Sequence, residues 1–338
     1  MSATSRAYAI RLARDGETVA VDIRRRGPDQ PTRLGLGRPI GEAGKIAALL
    51  FPICPIAQAA GALSAAEAAS GLDLPPAQAS GRRALVLGEA IFGAAWRAAL
   101  VWAPLLKRQP DAQSVQAARK ALSDLQSALY AGEWRRLGGA PLFMDRGAIE
   151  DAVHALERVC PVVDALAEAM ATLSADQFLG RSPAPLADAV FDPDIRPGLG
   201  AVEETHPESV GQTLPNRFRG QALALRRQAA DLRKTLDGLG SVDRAQPDEA
   251  PAMALEGAGL SVTETARGRL RHFMRVEDGQ IVHWQVDAPT DWNFAPDGAF
   301  ATLASGFDPL GDLVAQGRLL AAALDPCAAC HVEEAAYA

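Results

Sequence analysis

Apolar and polar positions alternate at the start of the chain. Tyr8, Ile10 and Leu12 alternate, Asp15-Gly16 supplies a turn, and Val19, Val21 and Ile23 alternate again, which predicts a β-hairpin over 8–25. A Gly/Pro-rich stretch over 27–44 predicts a loop. From Lys45 the period lengthens to that of a helix: Leu49, Leu50, Ile53 and Ile56 cluster, and 57–70 is rich in alanine, a strong helix former. Pro52 and Pro55 bracket Cys54, which predicts a break or a helix start at that cysteine. A strongly apolar helix is predicted over 84–107 and an amphipathic one over 112–134, with Val115, Ala118, Leu122, Leu125 and Leu129 on one face. A long helix over 147–173 carries Pro161, where a kink is predicted. A Pro-, Gly- and Asp-rich loop over 182–212 precedes an Arg- and Gln-rich helix over 216–236, read as a solvated or partner-facing face. Short strands follow over 260–265, 270–276 and 281–286 with a turn at Asp278-Gly279, then a Trp-bearing loop over 289–298 and a helix over 310–324. The pattern predicts a mostly helical α+β fold in one domain. Its regions are an N-terminal β region (1–45), a helical core (46–239), a linker (240–254) and a C-terminal β region with a cysteine-bearing end (255–338).

Composition narrows the function classes. Of 338 residues, 48% are hydrophobic, enough for a sizeable core, so the chain is not globally disordered. The formal charge of −7 argues against general nucleic-acid binding, which calls for a basic face. The nearest approach to a membrane span, 84–106, carries Glu89 and Arg97 in its interior and reads as a buried helix; no membrane partner is expected. Arg6, Arg11 and Arg14 have no apolar stretch behind them, so no signal peptide is read and a cytoplasmic location is the expectation. Four cysteines in a chain this long do not make a disulfide framework.

Three of those cysteines sit in contexts that suggest chemistry. Cys327 and Cys330 form a C-x-x-C pair just past a helix, a spacing that lets two thiolates converge on one metal ion. Alone the pair reads equally as two free thiols on a turn. With His331 it also spells a c-type haem attachment motif, an unfavoured reading because that chemistry belongs to exported proteins. His331 is a further donor or a solvated side chain. Cys160 lies on an apolar helix face and reads as core. His154, His206, His272 and His283 have no ligand spacing to one another, and Glu333 and Glu334 read as tail.

Asp325-Pro326-Cys327-x-x-Cys330 resembles the ending of nickel–iron hydrogenase large subunits, D-P-C-x-x-C-x-x-H. The stretch from Leu49 to Gln58 is similar to that family's N-terminal R-x-C-G-x-C-P-x-A-H, and Glu264-Thr265-Ala266-Arg267-Gly268 to its E-A-P-R-G. Asp278-Gly279-Gln280-Ile281 and Pro289-Thr290-Asp291-Trp292-Asn293 resemble its D-G-K-I and P-T-x-W-N. The blocks stand in the family's order. They cover the surroundings of Cys54 and the chain from Glu264 onward.

Three positions depart from the motifs. Phe51 replaces the first N-terminal cysteine, Gln58 the following histidine, and Glu333 the C-terminal histidine that marks the processing site, so no C-terminal trimming is expected. The resemblance implies that Cys54 and Cys330 correspond to the cysteines bridging nickel and iron, and Cys327 to a nickel-only ligand. Phe51 then stands where the fourth thiolate would be. Thiolates able to hold iron remain while the four-thiolate nickel pocket does not, so nickel is not expected. Arg267 maps to the residue that approaches the iron's cyanide, with Glu264 beside it; a guanidinium offers fixed donors to such an acceptor. Its alternative is a surface ion pair with Glu264 or Asp287. This degenerate pattern resembles the HupK/HoxV-type hydrogenase assembly proteins. It implies a large-subunit-like fold and a non-catalytic scaffold that holds or builds an Fe(CN)2CO fragment, with maturation proteins and the hydrogenase large subunit as partners. An active hydrogenase large subunit and a metal-free interaction module are the competing readings.

Overall fold

The alternation at the start of the chain folds as β1 (Ala7–Asp15) and β2 (Thr18–Arg26), joined through Gly16 at a φ of +60°. Then come α1 (Ala43–Leu50), α2 (Pro55–Ala69) and α3 (Pro76–Arg97), which continues through a π-helical turn, Ala98–Trp102, into the short α4 (Ala103–Leu105). Helices α5 (Ala112–Leu129), α6 (Arg146–Glu157), α7 (Cys160–Gln177) and α8 (Leu214–Gly238) follow. Strands β3 (Met253–Leu255), β4 (Ala258–Thr265), β5 (Gly268–Glu277) and β6 (Gln280–Asp287) lead to α9 (Pro289–Asn293), α10 (Ala299–Ala304), α11 (Leu313–Leu324) and β7 (Ala329–Glu334). The computed structural model describes residues 7–27, 30–177, 213–239, 253–255 and 257–335. The expected loop over 182–212 and residues 240–252 of the expected linker lie outside them.

These elements divide between two compact units. The first is built from Gly27–Leu166 and Ala222–Pro289. Its sheet has the order β3-β4-β5-β6, all antiparallel, and α2 lies across β4 and β5. The crossing is close enough to exclude a side chain at two glycines. A Cβ on Gly259 would fall 2.1 Å from the Ala65 carbonyl oxygen, and one on Gly61 would fall 2.8 Å from the His272 ring. This suits the small residues of α2, where seven of the eleven buried positions are alanine or glycine. Ala62, Ala65 and Ala66 share a core with Ala43 and Ala47 of α1 and with Met274, Ile281 and Trp284 of the sheet. His272 is fully buried, and desolvation pushes its imidazole down to about 3, so the ring is neutral and its Nδ1 accepts from Trp284 Nε1 at 3.2 Å.

A buried ion pair ties α2 to α3. Arg82 donates two 2.8 Å bonds to Glu67, a third to the Arg136 carbonyl, and Glu67 also accepts from the Gly138 N–H at 2.7 Å. Every partner is needed, because a buried charge left alone costs several kcal/mol. The span Pro76–Leu105 is long and apolar enough to cross a membrane by length and composition, yet 67% of its most apolar window is buried inside the protein. The predicted kinked helix over 147–173 is instead two helices, α6 and α7. The chain breaks at Arg158-Val159, and Pro161 sits in the first turn of α7, where its missing N–H costs nothing. The arginines of α8 are not a purely solvated face: Arg233 meets Glu150 and Glu157 of α6, and Arg226 meets Asp164 of α7.

The second unit comprises Arg6–Arg26, Ala167–Gln221 and Thr290–Ala338. Its sheet has the order β2-β1-β7, with β7 parallel to β1 and Cys330 opposite Tyr8. This strand corrects the expectation that Glu333 and Glu334 are plain tail. Glu333 pairs with Arg11 at 2.6 Å, Glu334 pairs with Arg14, and the Ala335 N–H donates to the Leu12 carbonyl. The α11 helix packs on this sheet at Gly317, where a Cβ would meet Val332 at 2.6 Å and Leu12 at 2.9 Å. The expected loop over 289–298 begins instead as a helical turn, α9.

Gly259→Ala should destabilise the protein by about 1–3 kcal/mol, because α2 must lift off the sheet to admit a methyl group. Urea unfolding measures this, and a loss below ~0.5 kcal/mol would show that the helix has room to move.

Candidate functional site

In the first unit Cys54 is the N-cap residue of α2, with Pro55 in the first helical position. The two prolines stop α1 and start α2 as expected, leaving the cysteine in the bend. Its side chain makes no capping hydrogen bond. The sulfur is half-buried and faces Gln58 one turn on, whose Nε2 donates to Sγ at 3.9 Å. Gln58 is 2% exposed, and its Oε1 is buried with no hydrogen-bond partner among the described residues. Phe51 caps the C-terminus of α1, half-buried, and offers no donor atom to a metal.

The amides that Cys54 leaves uncapped are taken by a residue the sequence reading used only as a charge inside an apolar helix. Glu89 of α3 accepts from the Ile56 N–H through one oxygen and from the Ala57 N–H through the other, both at 2.8 Å. It is 6% exposed, and desolvation pushes its carboxyl up to about 7 against the two backbone donors and the charge of Arg267, all of which favour the ionised form. The signal that could have found it was in plain view: a lone carboxylate within an apolar run needs partners.

Arg267 stands at the tip of the β4–β5 hairpin, where Thr265 pairs with Gly268. Gly268 at a φ of +119° closes the turn; the Arg267 N–H donates to Thr265 Oγ1 at 3.2 Å, and that hydroxyl donates to the Gly268 carbonyl. The side chain is half-buried and lies within the electrostatic reach of Glu89. Glu264 is exposed, and its carboxylate takes Arg269 at 2.8 Å; Asp287 lies 3.6 Å from Arg271.

In the second unit Cys327 and Cys330 follow α11, whose C-cap Asp325 adopts the left-handed region at a φ of 47° and turns the chain toward β7. Thr290 of α9 fixes the first thiol from two sides. Its hydroxyl donates to Cys327 Sγ at 3.1 Å and accepts from the Cys327 N–H at 3.0 Å. Cys330 lies in β7; burial first and the neighbouring Cys327 second push its thiol up to about 12, so it is protonated at neutral pH. His331 is exposed. Cys160 corrects the expectation of a core position: it is half-buried at the start of α7, and partial burial raises its thiol.

The second unit therefore brings Cys327 and Cys330 together, whereas Cys54, Arg267 and Glu264 belong to the first. Among the described residues, no group of three or more His, Cys, Asp or Glu side chains is arranged to hold a metal ion. The chemistry of the donors present is soft thiol, suited to iron or other thiophilic metals.

Comparison with known proteins sets this geometry in a family. The Nickel-dependent hydrogenase family model matches residues 209–333. A hydrogenase expression/formation protein HupV from Azotobacter chroococcum mcd 1 is 30% identical, with 94% of this chain and 95% of that protein covered. A hydrogenase expression/formation protein HupK from Azotobacter vinelandii is 31% identical with the same coverage of both. An NAD+-reducing [NiFe]-hydrogenase in the H2-reduced state is similar in fold, with a TM-score of 0.64 at 17% identity over 94% of each chain. The mostly helical α+β architecture is thus the one expected from the resemblance to large subunits. By similarity along nearly its whole length, the chain belongs to the HupK/HupV family of hydrogenase expression/formation proteins.

Proposed function

We propose that this protein is a non-catalytic scaffold that carries an Fe(CN)2CO fragment as cargo during hydrogenase maturation. In this reading Cys54 and Cys330 supply the principal thiolates, Cys327 a further one, and Arg267 donates to a cyanide nitrogen; Glu264 tethers the neighbouring Arg269. A general role in hydrogenase formation follows from family membership. The cargo reading rests above all on one observation. The chain keeps cysteines at 54, 327 and 330 and places a phenyl ring at 51, a position that the large-subunit motif gives to a metal-binding thiolate. A site deprived of that donor loses nickel chemistry first and keeps a soft attachment for iron. All four cysteines are free thiols, which suits the reducing cytoplasm where we place the protein.

A second reading, a metal-free module that docks maturation proteins or the large subunit, is favoured by the lack of a three-donor group among the described residues. Infrared spectroscopy separates the two. Protein co-purified anaerobically with its maturation partners should show cyanide and carbonyl stretches, and Cys54→Ala should abolish them with nickel remaining far below stoichiometric. Bands that persist in Cys54→Ala would overturn the ligand assignment. Full hydrogenase maturation with Cys54→Ala and Cys330→Ala combined would favour the docking module. Stoichiometric nickel or hydrogen uptake would instead mark an active large subunit.

Burial makes a second outcome measurable without cargo. With its thiol raised to about 12, Cys330 holds its proton at neutral pH, so iodoacetamide should modify it more slowly than a free thiol, the rate rising with pH beyond 9. Peptide mass spectrometry reads this directly. Modification of Cys330 at pH 7.5 as fast as that of an unfolded control would contradict it.

A further inference from the structure

We infer that Glu89 is a positioning residue of the cargo site in the first unit, holding the turn that carries Cys54 by capping α2 from α3. The inference rests on the cargo reading of Cys54 and adds to it the group that orients its turn.

The argument begins with a helix end. The first amides of a helix have no intrahelical acceptor and are ordinarily satisfied by an N-cap side chain such as Ser, Thr, Asp or Asn. In α2 the N-cap is Cys54, which makes no capping bond, and Pro55 has no N–H to satisfy. The next two amides, Ile56 and Ala57, donate to the two oxygens of Glu89, which reaches them from 33 and 32 positions along the chain. The cap is therefore supplied from another helix. That arrangement pins to α3 the turn that carries Cys54, whose sulfur accepts from Gln58 Nε2. A serine or aspartate at the N-cap would anchor the turn equally well but would not offer a thiolate.

The α2–sheet crossing at Gly61 and Gly259 holds the helix on the sheet, so the turn that Glu89 caps stands on a backbone already fixed.

Glu89→Gln in the full-length protein tests this. The amide can accept from one backbone N–H but turns a donor toward the other. Hydrogen exchange at Ile56 and Ala57 should quicken by ~10-fold, the equivalent of one lost hydrogen bond of about 1.4 kcal/mol. In protein co-purified with its maturation partners, the cyanide stretches should shift in frequency, a change that a general loss of stability would not produce. Unchanged exchange at these two amides, or unshifted bands with faster exchange, would overturn the inference. If Glu89→Gln does not fold, Glu89→Asp decides by the same readouts, since its stem is too short to reach both amides. Wild-type protein without infrared bands would sink the cargo reading instead, and the exchange rates would still judge Glu89.

Discussion

A helix can lie this close to a sheet only where one of the two facing positions lacks a side chain, and the contact of α2 with β4 and β5 is such a place. A methyl group at Gly259 would overlap the backbone of α2, and one at Gly61 would overlap the His272 ring. The alanines around Gly61 follow from this constraint, as does the neutrality of His272, which is sealed beneath the helix with Trp284 as its donor. The position of the candidate site in the first unit also follows. The helix that crosses the sheet begins at Cys54, and the hairpin that it crosses ends in Arg267. Small residues in α2 therefore set how closely the helix that begins at Cys54 lies on the strands that lead to Arg267.

Signals in the sequence are legible where the physics is local. The Asp15-Gly16 and Asp278-Gly279 turns, the start of α2 between two prolines and the three strands after 257 all depend on neighbours a few positions apart. Features built from distant partners were not legible. Strand β7 is short and half-exposed, with no alternation strong enough to reveal it. It exists because β1, more than 300 positions earlier, offers it a parallel edge and two arginines for its glutamates. Pro161 is compatible with a kink or with a break between α6 and α7, and packing rather than propensity decides for the break.

The candidate site divides along the same line. Motif resemblance picked out Cys54, Cys327, Cys330 and Arg267, since those residues are recognisable one at a time. It could not show that Thr290 holds Cys327 from two sides or that Glu89 caps α2, because each of those roles belongs to a pair of elements. Glu264 matches the motif by position, and its carboxylate is exposed and pairs with Arg269.

On the proposed reading the thiols suit temporary attachment. A metal takes up thiolate, so each protonated cysteine it recruits must release a proton, and the cost of that release is subtracted from the binding free energy. Cys330, pushed toward the thiol form by burial, would raise that cost, and Phe51 stands where the resembled motif has a donor. Both features would lower affinity without removing selectivity for a soft metal, because sulfur remains the donor. A carrier that must later surrender its cargo to a site with more thiolates would be served by such a set, since transfer then runs downhill in free energy toward the richer donor set.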